Sequence, residues 1–313
     1  MRNRQTTLPI AVLIYKMQEM KKVYLSDSGP KVSEAIYSFY RWDGDKSANS
    51  LELEKIVNLC LELGINTFDH ADYYGNYSCE ELFGELIKAR RVKREDLVLF
   101  TKCGLRVPHP SQPDIRTFHI DTSAARIHKS IDESLRKLNT DYIDIFLLDH
   151  LDAISNIEET ALALEQSLKA GKIRAIGVAN FSAFQHQLLS AQLRSTIVTH
   201  HLELNLLNTT ALDNGQMDYI KQKYMRPLAS APVAAGRIAA GNDPAAIRLR
   251  EKLKTYATQY GKDLESIAVA WLIKLGALPL IGTKEEQRIK NIVQAFDIDL
   301  DHQDWYDIYQ ATK

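Results

Sequence analysis

The sequence predicts an α/β fold, a single (β/α)8 TIM barrel, on three observations. Eight short apolar runs are bounded by polar residues, an amphipathic stretch follows each, and no Pro/Gly/Ser-rich linker or low-complexity tract interrupts them between about residues 36 and 296. Short apolar runs of this kind are buried strands. A strand followed by a helix, repeated eight times, implies parallel strands that close on themselves, with the functional groups at the strands' C-terminal ends.

In chain order, residues 21–25 and 31–32 flank Asp27-Ser28-Gly29-Pro30 and read as a hairpin. The barrel strands are expected at residues 35–40, 67–69, 97–102, 143–149, 175–178, 197–201, 226–230 and 278–281. Between them, residues 51–63, 123–138 and 247–260 are clear amphipathic helices, and Asp121 and Thr122 are competent N-caps for the second.

The 313 residues, 45% hydrophobic and with a formal net charge of −1, suffice for a large core and carry no electrostatic bias toward nucleic acid or an anionic membrane. Three cysteines, Cys60, Cys79 and Cys103, are odd in number and lack metal-ligand spacing, so neither a disulfide framework nor a metal site is expected, and a reducing, cytoplasmic compartment fits. Residues 1–20 hold Arg2, Arg4 and a short apolar run from Leu8 to Tyr15. That run is too short to span a bilayer, and no small-residue cleavage site follows it. The division expected is therefore an extension at 1–20, outside the fold, and one barrel domain at 21–313.

The chemistry concentrates in two segments, Thr67-Phe68-Asp69-His70-Ala71-Asp72-Tyr73-Tyr74-Gly75 and Phe100-Thr101-Lys102-Cys103-Gly104. Singly, Asp69 reads as a turn cap, Lys102 as a rim cation and Tyr74 as packing. Together, at or just beyond strand ends that share one face, they bring a carboxylate, a phenol and an ammonium into one pocket. An ammonium beside a phenol favours the ionised phenol and brings its pKa toward neutral, which is the equipment for protonating a carbonyl oxygen.

These segments resemble the catalytic signature of the aldo-keto reductases, NAD(P)H-dependent enzymes on a (β/α)8 barrel. The similarity runs from about residue 21 to the C-terminus, and FDHADYYGNYSCEELFG is close to a bacterial subgroup of general oxidoreductases. The resemblance implies reduction of aldehydes or ketones, with Tyr74 as proton donor assisted by Lys102 and Asp69. It also implies that the hairpin plugs the barrel floor.

The family's strand-four pattern ends in a histidine that polarises the carbonyl, but here Asp149 falls at that position and His150 one residue later. Because side chains alternate along a strand, two arrangements stand: Asp149 in the carbonyl pocket, where protonation would relieve its repulsion of an oxyanion, or a bulge that turns His150 inward. No glycine marks a bulge, which favours Asp149.

The resemblance further implies a nicotinamide cofactor across the barrel mouth. Asn180 matches a carboxamide contact while Ala179 lacks the usual hydroxyl, His201 replaces a glutamine, and Ser230 replaces an aromatic. The loop containing Ala231, Val233, Gly236 and Arg237 can approach a pyrophosphate. Gly282, Thr283, Lys284 and Arg288 form an anion site suited to an adenosine 2'-phosphate, so NADP(H) is expected over NAD(H). Tyr40, Trp42 and Tyr73 are substrate-pocket candidates, with Phe181, Trp305 and Tyr306 as further apolar surface. The partner expected is a small carbonyl compound; monomer and dimer both stay open. The departures at Asp149, Ala179, His201 and Ser230 also fit a second reading, a cofactor-binding sensor with little turnover.

Overall fold

The computed structural model describes residues 20–42 and 50–313. Its strands are β1 (Lys22–Tyr24), β2 (Lys31–Ser33), β3 (Ile36–Ser38), β4 (Thr67–Asp69), β5 (Val98–Cys103), β6 (Leu105–Arg106), β7 (His119–Ile120), β8 (Ile145–Asp149), β9 (Ile176–Ala179), β10 (Ile197–Glu203), β11 (Arg226–Ser230) and β12 (Leu278–Ile281). Eight of them close into a barrel in the order β10-β11-β12-β3-β4-β5-β8-β9, every neighbouring pair parallel. The predicted (β/α)8 architecture is therefore present, each expected strand within a few residues of its place.

Two apolar layers hold it. Ile36, Phe100, Ile145, Leu147, Val198, Leu228 and Leu278 fill the barrel interior, while a larger cluster packs the strands' outer faces against the helices. The antiparallel pair β1–β2 contributes Leu25 and Val32, both fully buried, to the interior cluster. It is tied to the N-terminal ends of two barrel strands: Arg226 N donates to Leu25 O (2.7 Å) and Ser33 N to Thr67 Oγ1 (3.0 Å). The hairpin thus closes the floor, leaving the strands' C-terminal ends as the open side.

Residues 1–19 of the expected extension lie outside the described residues. Met20, placed in that extension by the sequence, is only 8% exposed and packs in the core. At the helix Ala124–Lys137 the N-cap is Ser123, whose Oγ accepts from Arg126 N (3.3 Å), and not Asp121 or Thr122. Asp121 instead accepts from Ser123 N (3.0 Å), an Asx turn that sets up the cap. All three cysteines are buried, and none forms a disulfide among the described residues. No helix among the described residues is long and apolar enough to cross a membrane.

At the far end of the chain, the helix His302–Gln310 docks through Trp305, whose ring stacks on Trp271 at 4.8 Å and 7°. Each indole Nε1 donates to the other's backbone carbonyl, at 3.2 and 3.0 Å. Trp305 is therefore core, as are Phe181 and Trp42, and Tyr306 points to solvent at 48% exposure; none of the four lines the cleft described below.

Candidate active site

A cleft of about 490 Å³ opens at the C-terminal ends of the barrel strands. Its wall is built from the last residues of β3, β8, β11 and β12, namely Ser38, Asp149, Ser230 and Ile281, with Lys102 of β5 and His201 of β10. Nearly all the sequence-predicted residues meet here.

Lys102, 1% exposed, donates from Nζ to Asp69 Oδ1 (2.6 Å) and to His70 O (2.8 Å). The second Asp69 oxygen accepts from Ser38 Oγ (2.8 Å), its neighbour in register on the adjacent strand. A buried ammonium and carboxylate bonded on several sides hold one geometry, and loss of either partner would leave an uncompensated buried charge. Tyr74 is carried over this pair by a left-handed turn: Gly75, Asn76 and Tyr77 have φ of 58°, 55° and 73°. Gly75 takes that region freely, but Asn76 and Tyr77 do so at a cost, and such strain collects at functional sites.

The Lys102 ammonium lies 4.6 Å from the Tyr74 ring centroid, a cation–π contact. The expectation of a lowered phenol pKa is not met. Burial, and next the negative charge of Asp69, raise Tyr74 well above the ordinary tyrosine value, and its hydrogen bond with Ser38 opposes this only in part. The physical reason is that the ammonium faces the ring and spends its bonds on Asp69 and His70. Ser38 is the contact that sequence reasoning missed; its signal was the adjacency of two strand ends, visible only once the register is known.

At the end of β8 the strand runs in register with β9 through Asp149 and Ala179, without a bulge. Asp149, 2% exposed, therefore lines the cleft and His150 does not. His150 leaves the strand at φ 63° and turns back to bond Asp149 Oδ1 through Nδ1 (2.8 Å). Asn180 Nδ2 donates to the same oxygen (2.7 Å). Burial works to raise the Asp149 pKa, but the His150 bond, the Lys102 charge and the Asn180 bond outweigh it and hold the carboxyl below its ordinary value. The protonation that would relieve repulsion of an oxyanion at this position is therefore disfavoured.

Gly104 fixes this approach. It has φ 137°, and a methyl there would run into the carbonyl oxygen of Asp149. Gly104→Ala is expected to cost about 1–3 kcal/mol and displace Asp149; denaturant unfolding checks the first and a structure of the variant the second.

The remaining positions divide. His201 lines the cleft with both ring nitrogens buried and without a partner; burial, and then the Lys102 charge, lower its pKa to about 4, so it is neutral. The loop after β11 brings Ala231, Val233, Gly236 and Arg237 to the cleft, with Ala231, Ala234 and Ala235 at φ 49°, 49° and 58°. Arg41 Nη2 donates to Ala235 O (3.1 Å), closing the loop over the mouth. Gly282, Thr283 and Arg288 also line the cleft, but Arg288 is held by two bonds to Glu265 (2.5 and 3.0 Å).

Lys284 and Trp42, like His150, stand outside the cleft lining. Lys284 packs over the Trp42 ring (4.5 Å to the centroid) and lies 3.7 Å from Glu52, outside the cleft. Trp42 is turned inward by the 3-10 turn Phe39–Arg41 and donates from Nε1 to Tyr37 (3.1 Å), while Tyr40 and Tyr73 do line the cleft.

The fold and cleft define a (β/α)8 barrel with its site at the strands' C-terminal ends. The model of the Aldo/keto reductase family matches residues 40–313, and the chain belongs to that family. It is 31% identical over 292 residues to the 6-dehydroglucose reductase of Agrobacterium fabrum, covering 93% of this chain and 97% of that one. Oxidoreductase YdhF of Escherichia coli is 31% identical over 297 residues, covering 94% and 98%. Among solved structures, aldo-keto reductase AKR11C1 of Bacillus halodurans, in its holo form, superposes with a TM-score of 0.79 at 26% identity over 94% of this chain and 97% of that one.

Proposed function

We propose that the protein is an NADPH-dependent reductase of aldehydes or ketones, with Tyr74 as the proton donor. The observation that carries this reading is the convergence of Tyr74 and Lys102 at the wall of the cleft, with Asp69 buried behind them and bonded to both Lys102 and Ser38. Reductase names among the relatives, including 6-dehydroglucose reductases from two bacteria, support the reaction class.

When bound, the reduced nicotinamide supplies the hydride. His201 and Asn180 would hold its carboxamide: a planar amide needs one donor and one acceptor, and neutral His201 offers both from unspent nitrogens. The strained loop of Ala231, Val233, Gly236 and Arg237 would meet the pyrophosphate, since residues in the left-handed region aim backbone amides into a concavity suited to anions. Gly282, Thr283 and Arg288 would take the 2'-phosphate. Tyr74 is uncharged and carries its proton at neutral pH, as a general acid must. Lys102, fixed by Asp69, holds a positive charge beside the position where an alkoxide develops. Buried cysteines outside any disulfide agree with a cytoplasmic setting.

A second reading, a cofactor-binding sensor with little turnover, is favoured by one arrangement: Asn180 spends an amide bond on Asp149, and that carboxylate stands where a donor would assist a carbonyl. Titration with NADPH followed by fluorescence, then absorbance decay with a panel of aromatic aldehydes and diketones, separates the two. Binding with turnover supports the reductase, binding without turnover the sensor, and absence of binding overturns both. Arg288→Ala should weaken NADPH binding by about tenfold while leaving NADH affinity nearly as it was, because the charge-assisted contact is made only to the 2'-phosphate. Equal effects on both cofactors would remove Arg288 from that role.

A further inference from the structure

One acceptor in the cleft wall is left unused. Both bonds to the Asp149 carboxylate, from Asn180 and His150, fall on Oδ1. Oδ2 takes none from the described residues, and the side chain lines the cleft, so that oxygen is open to a ligand. The carboxylate lies close to the proton donor, since its charge helps to raise the phenols of both Tyr73 and Tyr74. A carboxylate oxygen accepts and never donates. A ligand that covers Oδ2 without bringing an N–H or O–H strips its hydration and returns nothing, which is costly for a charged acceptor. The matching donor is a neutral one. Arg41, Lys102, Arg237 and Arg288 line the same cleft as Asp149 and Glu203, so a cationic donor meets no net attraction there. A hydroxyl needs none.

We propose that Asp149 determines substrate choice, its Oδ2 accepting a hydrogen bond from a hydroxyl on the carbon beside the carbonyl, and that the substrates are α-hydroxy aldehydes or ketones. The inference rests on the reading of the chain as a nicotinamide-dependent reductase. In such a substrate the acceptor and the donor stand on neighbouring carbons: the carbonyl oxygen meets Tyr74 while the hydroxyl meets Oδ2. A hydride from the reduced nicotinamide adds to the carbonyl carbon and forms a C–H bond. The C=O π pair moves onto oxygen, which takes the Tyr74 proton, and Tyr74 recovers a proton from solvent. The products are a vicinal diol and the oxidised nicotinamide, and the hydroxyl at Oδ2 keeps its proton throughout. The carboxylate that opposes reduction of a plain carbonyl is here engaged by a donor, whose dipole stands between it and the developing alkoxide. A site built to bond a substrate hydroxyl rejects the analogue that lacks it, because its own buried acceptor is then left bare.

The test uses the full-length protein with NADPH and three ketones that differ only in the group beside the carbonyl carbon's neighbour: hydroxyacetone, methoxyacetone and butanone, with a hydroxyl, a methoxy and a methyl group there. Methoxyacetone keeps the electron-withdrawing oxygen and lacks the donor. The wild type should reduce hydroxyacetone more efficiently than either other ketone, by about tenfold or more in kcat/KM. In Asp149→Asn, Asn180 still donates to the amide oxygen, so the amide N–H takes the place of Oδ2 and a donor replaces the acceptor. The hydroxyacetone-to-butanone ratio should then fall by about tenfold or more. Equal efficiency with hydroxyacetone and methoxyacetone, or a ratio unmoved in the variant, overturns the inference. So does a loss of NADPH affinity of about tenfold or more in Asp149→Asn, followed by fluorescence, which would assign Oδ2 to the cofactor's carboxamide. Failure of NADPH to bind, or of every carbonyl probe to turn over, defeats the reductase reading and this inference with it. Reduction of butanone or of an aromatic aldehyde without preference for hydroxyacetone defeats only this inference.

Discussion

Tyr74→Phe is expected to lower carbonyl reduction by about 10²- to 10⁴-fold, the contribution typical of a positioned general acid. The change removes one oxygen and leaves the ring, its edge contact with Tyr73 and the cation–π contact with Lys102 in place. NADPH affinity should therefore shift by no more than a few fold. Measured kcat/KM and a fluorescence titration on the same preparation separate the two effects. Full activity in the variant would take Tyr74 out of the proton-donor role and leave water or another cleft hydroxyl as the source.

The fold should be acid-labile, with unfolding near pH 5. Four histidines are buried and neutral: burial lowers His70 and His200 to about 3 and His186 and His201 to about 4. His70 is sandwiched against Phe39 at 4.5 Å and 10° and has no hydrogen-bond partner on either nitrogen. The unfolded chain takes up protons that the folded one refuses, so stability is complete above a pH of about 6.5 and is lost progressively below it. At pH 5 each histidine removes about 2 kcal/mol and the four together about 8 kcal/mol, which is comparable to the whole stability of an ordinary domain. Asp72 and Glu80, raised mainly by burial, work in the opposite sense and hold their protons more tightly folded than unfolded. Far-UV circular dichroism against pH checks the outcome. A chain still folded at pH 4 would mean that water reaches these histidines and lets them charge in place.

Much of the architecture was legible because it rests on period and punctuation. Apolar runs such as 145–149 and 278–281 can only be buried strands, and their ends bring Asp69 and Lys102 to one face. What escaped depends on registers and rotations that one sequence does not carry. Ser38 acquires its bond to Asp69 from the pairing of β3 with β4, and no motif marks that. Trp42 follows two cleft residues, yet a single 3-10 turn rotates it into the core, where Lys284 follows it. The charge of Asp149 stayed open because it is decided by Asn180 and by a left-handed His150, two neighbours whose directions are conformational.

The plug formed by β1 and β2 has a kinetic consequence. With Leu25 and Val32 sealing the floor, the described barrel has its cleft at one rim only. Two ligands sharing such a dead-end vessel must queue: the one seated deeper has to arrive first and depart last. Initial-rate patterns for any pair of reactants should then be sequential with a compulsory order, and the slow event in a turnover is the departure of whichever molecule lies beneath the other.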